Sequence, residues 1–128
     1  VKLMDFAETD SFIMIFHNEA RSVMDALRNK DLQPYDVAVL MAVMNFINHK
    51  TGMVEVTLTE LGRRIGMPQW RVSVSIKRLR LQQLVATGYD SASGKRFLMV
   101  NPYLCGRRDD TKRFGVRWAR FKELMSSD

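Results

Sequence analysis

The period of the apolar positions changes several times along the chain, and each change marks an element. Ser11–Phe16 (SFIMIF) is rich in β-branched and aromatic residues and apolar on both faces, which predicts a short strand covered on both sides. From about Glu19 to Asn29 the period becomes helical, with Ala20, Val23, Met24 and Leu27 forming one stripe. Asp31–Gln33 interrupts it. Pro34 then suits the first turn of a second helix, where its missing N–H costs nothing. That helix is expected to reach about Asn48 and is apolar nearly all round between Val37 and Met44, the pattern of a central, buried helix. Met41 and Met44 read as core filler.

Beyond a turn at His49–Gly52 and an extended Met53–Val56, Thr57 carries a helix-start signal. Thr57 and Glu60 have capping-box spacing, the hydroxyl meeting an N–H while the carboxylate reaches back, and Val56 and Leu61 flank them as a hydrophobic staple. The helix Leu58–Ile65 should end at Gly66, the residue best able to take a left-handed cap. Pro68 opens the next helix, expected to run to about Leu84. Val85–Tyr89, the turn Asp90–Gly94 and Arg96–Val100 read as a β-hairpin, stopped by Asn101-Pro102. A last amphipathic helix is expected from Thr111 to Met125, with Phe114, Trp118, Phe121 and Met125 on one side.

Helix, short glycine-containing turn and helix form the helix-turn-helix pattern, and the following hairpin adds a wing. The expected class is therefore mainly α with a small β-hairpin wing (α+β), a winged helix-turn-helix. The chain divides into a weakly ordered lead-in (1–10), the winged domain (11–106) and a basic tail with a C-terminal amphipathic helix (107–128).

Composition narrows the function. A chain of 128 residues, 46% hydrophobic, fits one domain. Its net charge of +6 is unevenly spread: residues 1–60 carry a net −4 and residues 61–128 a net +10. Such asymmetry suggests a polyanion-binding half, or else a solvated basic surface. A single cysteine, Cys105, excludes an internal disulfide framework and fits a reducing compartment. His17 and His49 stand far apart and away from any cysteine, so no metal site is expected. No apolar run approaches the ~20 residues of a membrane-spanning helix, and the amino end lacks a secretion-signal pattern. A cytoplasmic location with no membrane partner follows as the expectation.

Enzymatic chemistry finds little support. No phosphate-cradling loop of the Walker type is present. Tyr35, Tyr89 and Tyr103 lack the paired histidines that metal-dependent DNA nicking uses, and Asp109-Asp110 reads as a solvated turn. No cofactor and no catalytic residue is expected.

The chemistry that remains is recognition. On a helical wheel Val72, Ile76, Leu79 and Gln83 point toward a core, while Gln69, Trp70, Arg71, Ser73, Val74, Lys77 and Arg78 form the face expected to read DNA. Arginine or lysine can pair with guanine O6 and N7, serine with base edges or phosphate, and Val74 with a thymine methyl. Arg63, Arg64, Lys95 and Arg96 are candidates for phosphates, as are Arg107 and Arg108. The stripe Phe114, Trp118, Phe121 and Met125 is a candidate dimerisation surface. The competing reading is a protein-docking winged helix, for which Trp70, Val74 and Leu81 would form an apolar contact patch.

The order of the Ser11–Phe16 strand, the Asp36–Phe46 helix, the helix-turn-helix and a hairpin closing on Phe97-Leu98-Met99-Val100-Asn101-Pro102-Tyr103-Leu104 resembles the RepL family of plasmid replication initiators. The apolar strand running into Asn-Pro is the more specific part. The helix-turn-helix alone is also similar to that of MarR-like regulators. The resemblance covers about Ser11–Gly106 and stops before Arg107–Asp128. It implies a bacterial, plasmid or phage protein that binds a specific duplex site through Pro68–Leu84. The reading of the residues themselves is a homodimer on a two-fold site, acting either as a replication initiator that recruits host machinery or as a transcription regulator.

Overall fold

Two helix endings that glycine does not announce set the layout of the chain. The computed structural model describes residues 14–15, 17–48, 51–106 and 111–126. In chain order the elements are β1 (Met14–Ile15), α1 (His17–Arg28), α2 (Pro34–Asn45), β2 (Met53–Val54), α3 (Leu58–Ile65), α4 (Gln69–Leu81), β3 (Val85–Asp90), β4 (Lys95–Val100), β5 (Cys105–Gly106) and α5 (Thr111–Ser126). α1 closes on Lys30 and α4 on Gln83, both in the left-handed region at φ 64° and 60°. After α4, the Gln83 N–H donates to the Arg80 carbonyl (2.9 Å) and the Leu84 N–H to the Leu79 carbonyl (3.0 Å), a Schellman ending with Leu79 and Leu84 both in the core. The helix therefore stops at Leu81, three residues short of its expected end, and Gln83 leaves the core-facing stripe for an exposed turn.

β2, β4 and β3 form one antiparallel sheet in that order, and β1 pairs with β5 in a separate two-stranded ribbon. Of the expected Ser11–Phe16 strand, Met14 and Ile15 are paired, opposite Gly106 and Cys105; residues 11–13 and 16 lie outside the described residues, as do the lead-in 1–10, His49, Lys50 and 107–110. The hairpin register runs from Val85 opposite Val100 to Asp90 opposite Lys95.

Phe97–Val100 is buried at four successive positions. Strand side chains alternate between faces, so an unbroken buried run requires cover on both. Val85, Leu98 and Val100 join the helical core with Val39, Leu40, Val43, Leu61, Val72 and Leu79. Ala86, Phe97 and Met99 face the other way and pack with Phe121 and Leu124 of α5, with Met53, Trp118 and Met125 alongside. The helix read from sequence as part of a basic tail thus completes the sheet's second layer. Phe121 of its stripe is only 2% exposed, Phe114, Trp118 and Met125 are half-buried, and Tyr103 makes edge contacts with Phe114 and Trp118 at 4.9 and 4.6 Å. Phe121, with Trp118 and Met125 alongside, thus packs against its own chain, because Phe97 and Met99 leave an apolar sheet face that needs covering.

Two methionine assignments also change. Met24 is 68% exposed and Met41 is exposed, while Ala26 takes the core position on α1. Met44 does pack against the core.

Candidate nucleic-acid interface

The helix-turn-helix begins at Thr57, whose hydroxyl accepts the Glu60 N–H at 3.1 Å. The other half of the expected capping box is replaced: the Glu60 carboxylate turns to Arg63 (3.0 Å) and Arg64 (3.9 Å). Val56 and Leu61 pack into the same core as expected. α3 ends at Gly66 with φ 70°, and the Met67 N–H donates to the Gly62 carbonyl at 2.8 Å. Gly62 itself is buried where a side chain has no room, since a Cβ there would stand 2.3 Å from the Met67 carbonyl oxygen. That close approach lets the turn fold back so that α4 starts three residues after α3.

α4 buries Val72, Ser75, Ile76 and Leu79 and presents the opposite side. Trp70 is 63% exposed, and Arg71 and Lys77 are exposed. Ser73 and Val74 are half-buried at the edges of that face. Gln69 is tied down, its side-chain carbonyl accepting the Thr59 hydroxyl at 3.1 Å, which links the start of α4 to α3. Leu81, at the far end, is 80% exposed.

Arg78 departs from the expected base-reading role. Its guanidinium donates to the Tyr35 phenolic oxygen and lies 3.5 Å from Asp36 Oδ2. The Tyr35 hydrogen bond, with help from Asp36, raises its already high pKa and holds its charge. Asp36 is fully buried. It accepts the Ser75 hydroxyl at 2.6 Å and the Gln33 N–H at 2.8 Å. A buried carboxylate is tolerable only with such partners, and these join α2 to α4. Tyr35, Asp36 and Ser75 were absent from the expected site. Two signals pointed to them: an acid abutting the apolar run Val37–Met44, and a serine on the Val72–Ile76–Leu79 face.

The wing is the β3–β4 turn. Asp90 accepts the Ala92 N–H (3.0 Å) and the Ser93 hydroxyl (2.9 Å), and its backbone carbonyl accepts the Gly94 N–H (2.7 Å). The Ser93 hydroxyl foremost, then the Ala92 N–H, lower the Asp90 pKa below the ordinary carboxylate range. Lys95 and Arg96 follow, both exposed, opposite Asp90 and Tyr89 across the ladder.

Of the other cations, Arg63 and Arg64 are exposed but share Glu60, and Arg64 also lies over the Phe46 ring at 5.3 Å. Arg107 and Arg108 lie outside the described residues. Among the described residues no group of three or more His, Cys, Asp or Glu is placed to hold a metal ion, and no helix is long and apolar enough to cross a membrane.

The architecture is that of a winged helix-turn-helix: α3, a tight turn, α4 and a β-hairpin, backed by α2 and α5. No family model matches the chain, and no curated protein matches it. Among solved structures it is similar to the adhesin competence repressor (AdcR) from Streptococcus pyogenes, at 15% identity and a TM-score of 0.43, over 86% of this chain and 72% of that one. The fold assignment rests on the chain's own elements.

Proposed function

We propose that the chain binds double-stranded DNA, with α4 in the major groove and the β3–β4 wing on the flanking backbone. The observation that carries this reading is the division of α4: one side is buried in the core, while the other presents Trp70, Arg71 and Lys77 to solvent. Exposed cations on a helix held by a tight turn suit a groove-reading element, and Lys95 and Arg96 add charge on the wing. Arg71, Lys77, Ser73, Val74 and Trp70 are assigned to the bases and their edges. Lys95, Arg96, Arg63 and Arg64 are assigned to phosphates, with Arg107 and Arg108 as an extension. Gln69 and Arg78 hold α4 in place.

The finer role follows the resemblance to RepL initiators: an origin-binding protein that recruits host machinery, or a promoter-binding regulator using the same surface, in a bacterial cytoplasm. Binding as a homodimer to a two-fold site is part of this reading. The role is binding, with no catalytic step. In an electrophoretic retardation assay with a selected duplex, Arg71→Ala combined with Lys77→Ala abolishes the specific shift while the fold is retained. Unchanged retardation would remove α4 as the reading element.

One observation favours a second reading. Trp70, Val74 and Leu81 share a stripe of α4 by helical spacing, and Trp70 and Leu81 are largely exposed. An apolar stripe of this kind suits docking to a protein of the host machinery. Failure to retain any duplex at low salt, with Leu81→Asp disrupting capture of a host protein, would favour docking.

A further inference from the structure

Tyr35 stands in the first turn of α2, outside the helix-turn-helix, yet its ring meets two arginines of α4. The Arg71 guanidinium carbon lies 5.1 Å from the Tyr35 ring centroid and 5.3 Å from that of Trp70. Arg78 lies 5.6 Å from the same Tyr35 centroid and donates to its oxygen. The two arginines are held in different ways. Arg78 is drawn inward to Asp36. Arg71 is exposed and has no acidic partner among the described residues; its contacts are ring faces.

This difference matters chemically. A guanidinium held by the attraction of its charge to ring faces, with no carboxylate among the described residues taking its N–H groups, keeps those donors for a ligand. Bracing a long side chain beforehand also removes part of the freedom it would lose on binding. Arg71 is the third residue of α4, at the end from which a helix in the major groove touches base edges. Its planar fork matches the paired O6 and N7 acceptors of guanine.

We propose that Tyr35 is a positioning residue for Arg71, and that Arg71, braced between Tyr35 and Trp70, selects a guanine in the bound duplex. This rests on the duplex-binding reading above and adds the base and the residue that aims at it. A phosphate also offers paired acceptors to an arginine fork. Loss of a phosphate contact weakens binding to all sequences alike, however, whereas loss of a guanine contact relaxes one base-pair position.

The test is selection of bound duplexes from a random pool by the wild-type chain and by Arg71→Ala, Tyr35→Met, Tyr35→Leu and Tyr35→Phe, each checked for folding by its thermal transition. The Met and Leu variants remove the ring and keep apolar volume; the Phe variant keeps the ring and removes the oxygen that serves Arg78. The wild-type motif is expected to contain a G·C pair that Arg71→Ala and the ring-removing variants lose at the same position, while Tyr35→Phe retains it. Affinity for the wild-type site falls on the order of tenfold to a hundredfold for Arg71→Ala. It falls roughly three- to tenfold on ring removal, the share expected from lost preorganisation. In the Arg71→Ala background, removing the ring has no further effect. Uniform weakening across all sequences with the motif intact would overturn the guanine assignment. Ring removal that leaves the G·C position unchanged, or that adds its full effect to Arg71→Ala, would overturn the positioning role. A wild-type chain that binds duplex without any selected motif overturns this inference alone; one that binds no duplex overturns the reading on which it rests.

Discussion

Replacing Gly62 with alanine should weaken the protein, although the same change strengthens most helices. In an open helix interior, Gly→Ala is worth about 1 kcal/mol through lower backbone entropy in the unfolded chain and better helix propensity. At Gly62 the new Cβ would meet the Met67 carbonyl oxygen at 2.3 Å and Val72 Cγ2 at 3.3 Å. Ordinary contact demands on the order of 1 Å more separation from that oxygen. The obstacle is backbone, and the Met67 N–H is bonded to the Gly62 carbonyl at 2.8 Å, so relief strains the turn between α3 and α4. Overpacking of this kind costs typically about 1–3 kcal/mol, and more where backbone must move. The net expectation is a loss of about 2 kcal/mol, or roughly 6–10 °C in Tm for a chain of this size. Gly115 provides the internal control: it lies on α5, is exposed, and a Cβ there meets nothing within 4 Å. Gly115→Ala should gain about 0.5–1 kcal/mol. Urea denaturation followed by circular dichroism measures both. A Gly62→Ala variant as stable as wild type would refute the tight-turn account.

Ser75→Ala removes the hydroxyl that serves the fully buried Asp36 carboxylate at 2.6 Å, and should cost about 1–3 kcal/mol in the same denaturation experiment. A neutral result would mean that Gln33 and Arg78 suffice. Phe121→Ala opens the second sheet layer and should cost about 3–5 kcal/mol; a change in oligomeric state at unaltered stability would instead assign the residue to a dimer contact. The wing should respond to acid. Because the Asp90 pKa is depressed in the folded chain by Ser93 and Ala92, its contribution is present above the ordinary carboxylate range and is lost as pH falls through the lowered value. The Ala92 amide resonance should shift over that acid window in wild type and stay flat in Asp90→Asn.

The helix-turn-helix and wing were legible because their signals are local. Thr57, Gly66 and Pro68 mark boundaries by backbone chemistry that neighbours within a few residues decide, and Leu58–Ile65 is the helix found. The end of α4 was less visible because Gln83 takes a left-handed conformation usually left to glycine, held by Schellman bonds and by the Asn101 amide donating to its carbonyl at 2.9 Å. The role of α5 depended on long-range packing. Its apolar stripe is plain in sequence, but a stripe does not say what covers it. The four-residue apolar run Phe97–Val100 held the missing information, since only a sheet with two covered faces requires it. Arg78 illustrates the same limit at the site: its place on the wheel is outward, yet Tyr35 and Asp36, more than 40 residues earlier, turn it inward.

On the proposed function, a cationic face formed by α4 and the wing meets the phosphates and bases of duplex DNA. The decisive experiment is a salt titration of duplex binding by the wild-type chain and by Lys95→Ala combined with Arg96→Ala. Each phosphate contact contributes about 0.9 to the slope of log affinity against log salt. Affinity should fall steeply with salt for wild type, with a slope shallower by about 2 for the wing variant. Absence of duplex binding at low salt, or an unchanged slope in the wing variant, would contradict this reading.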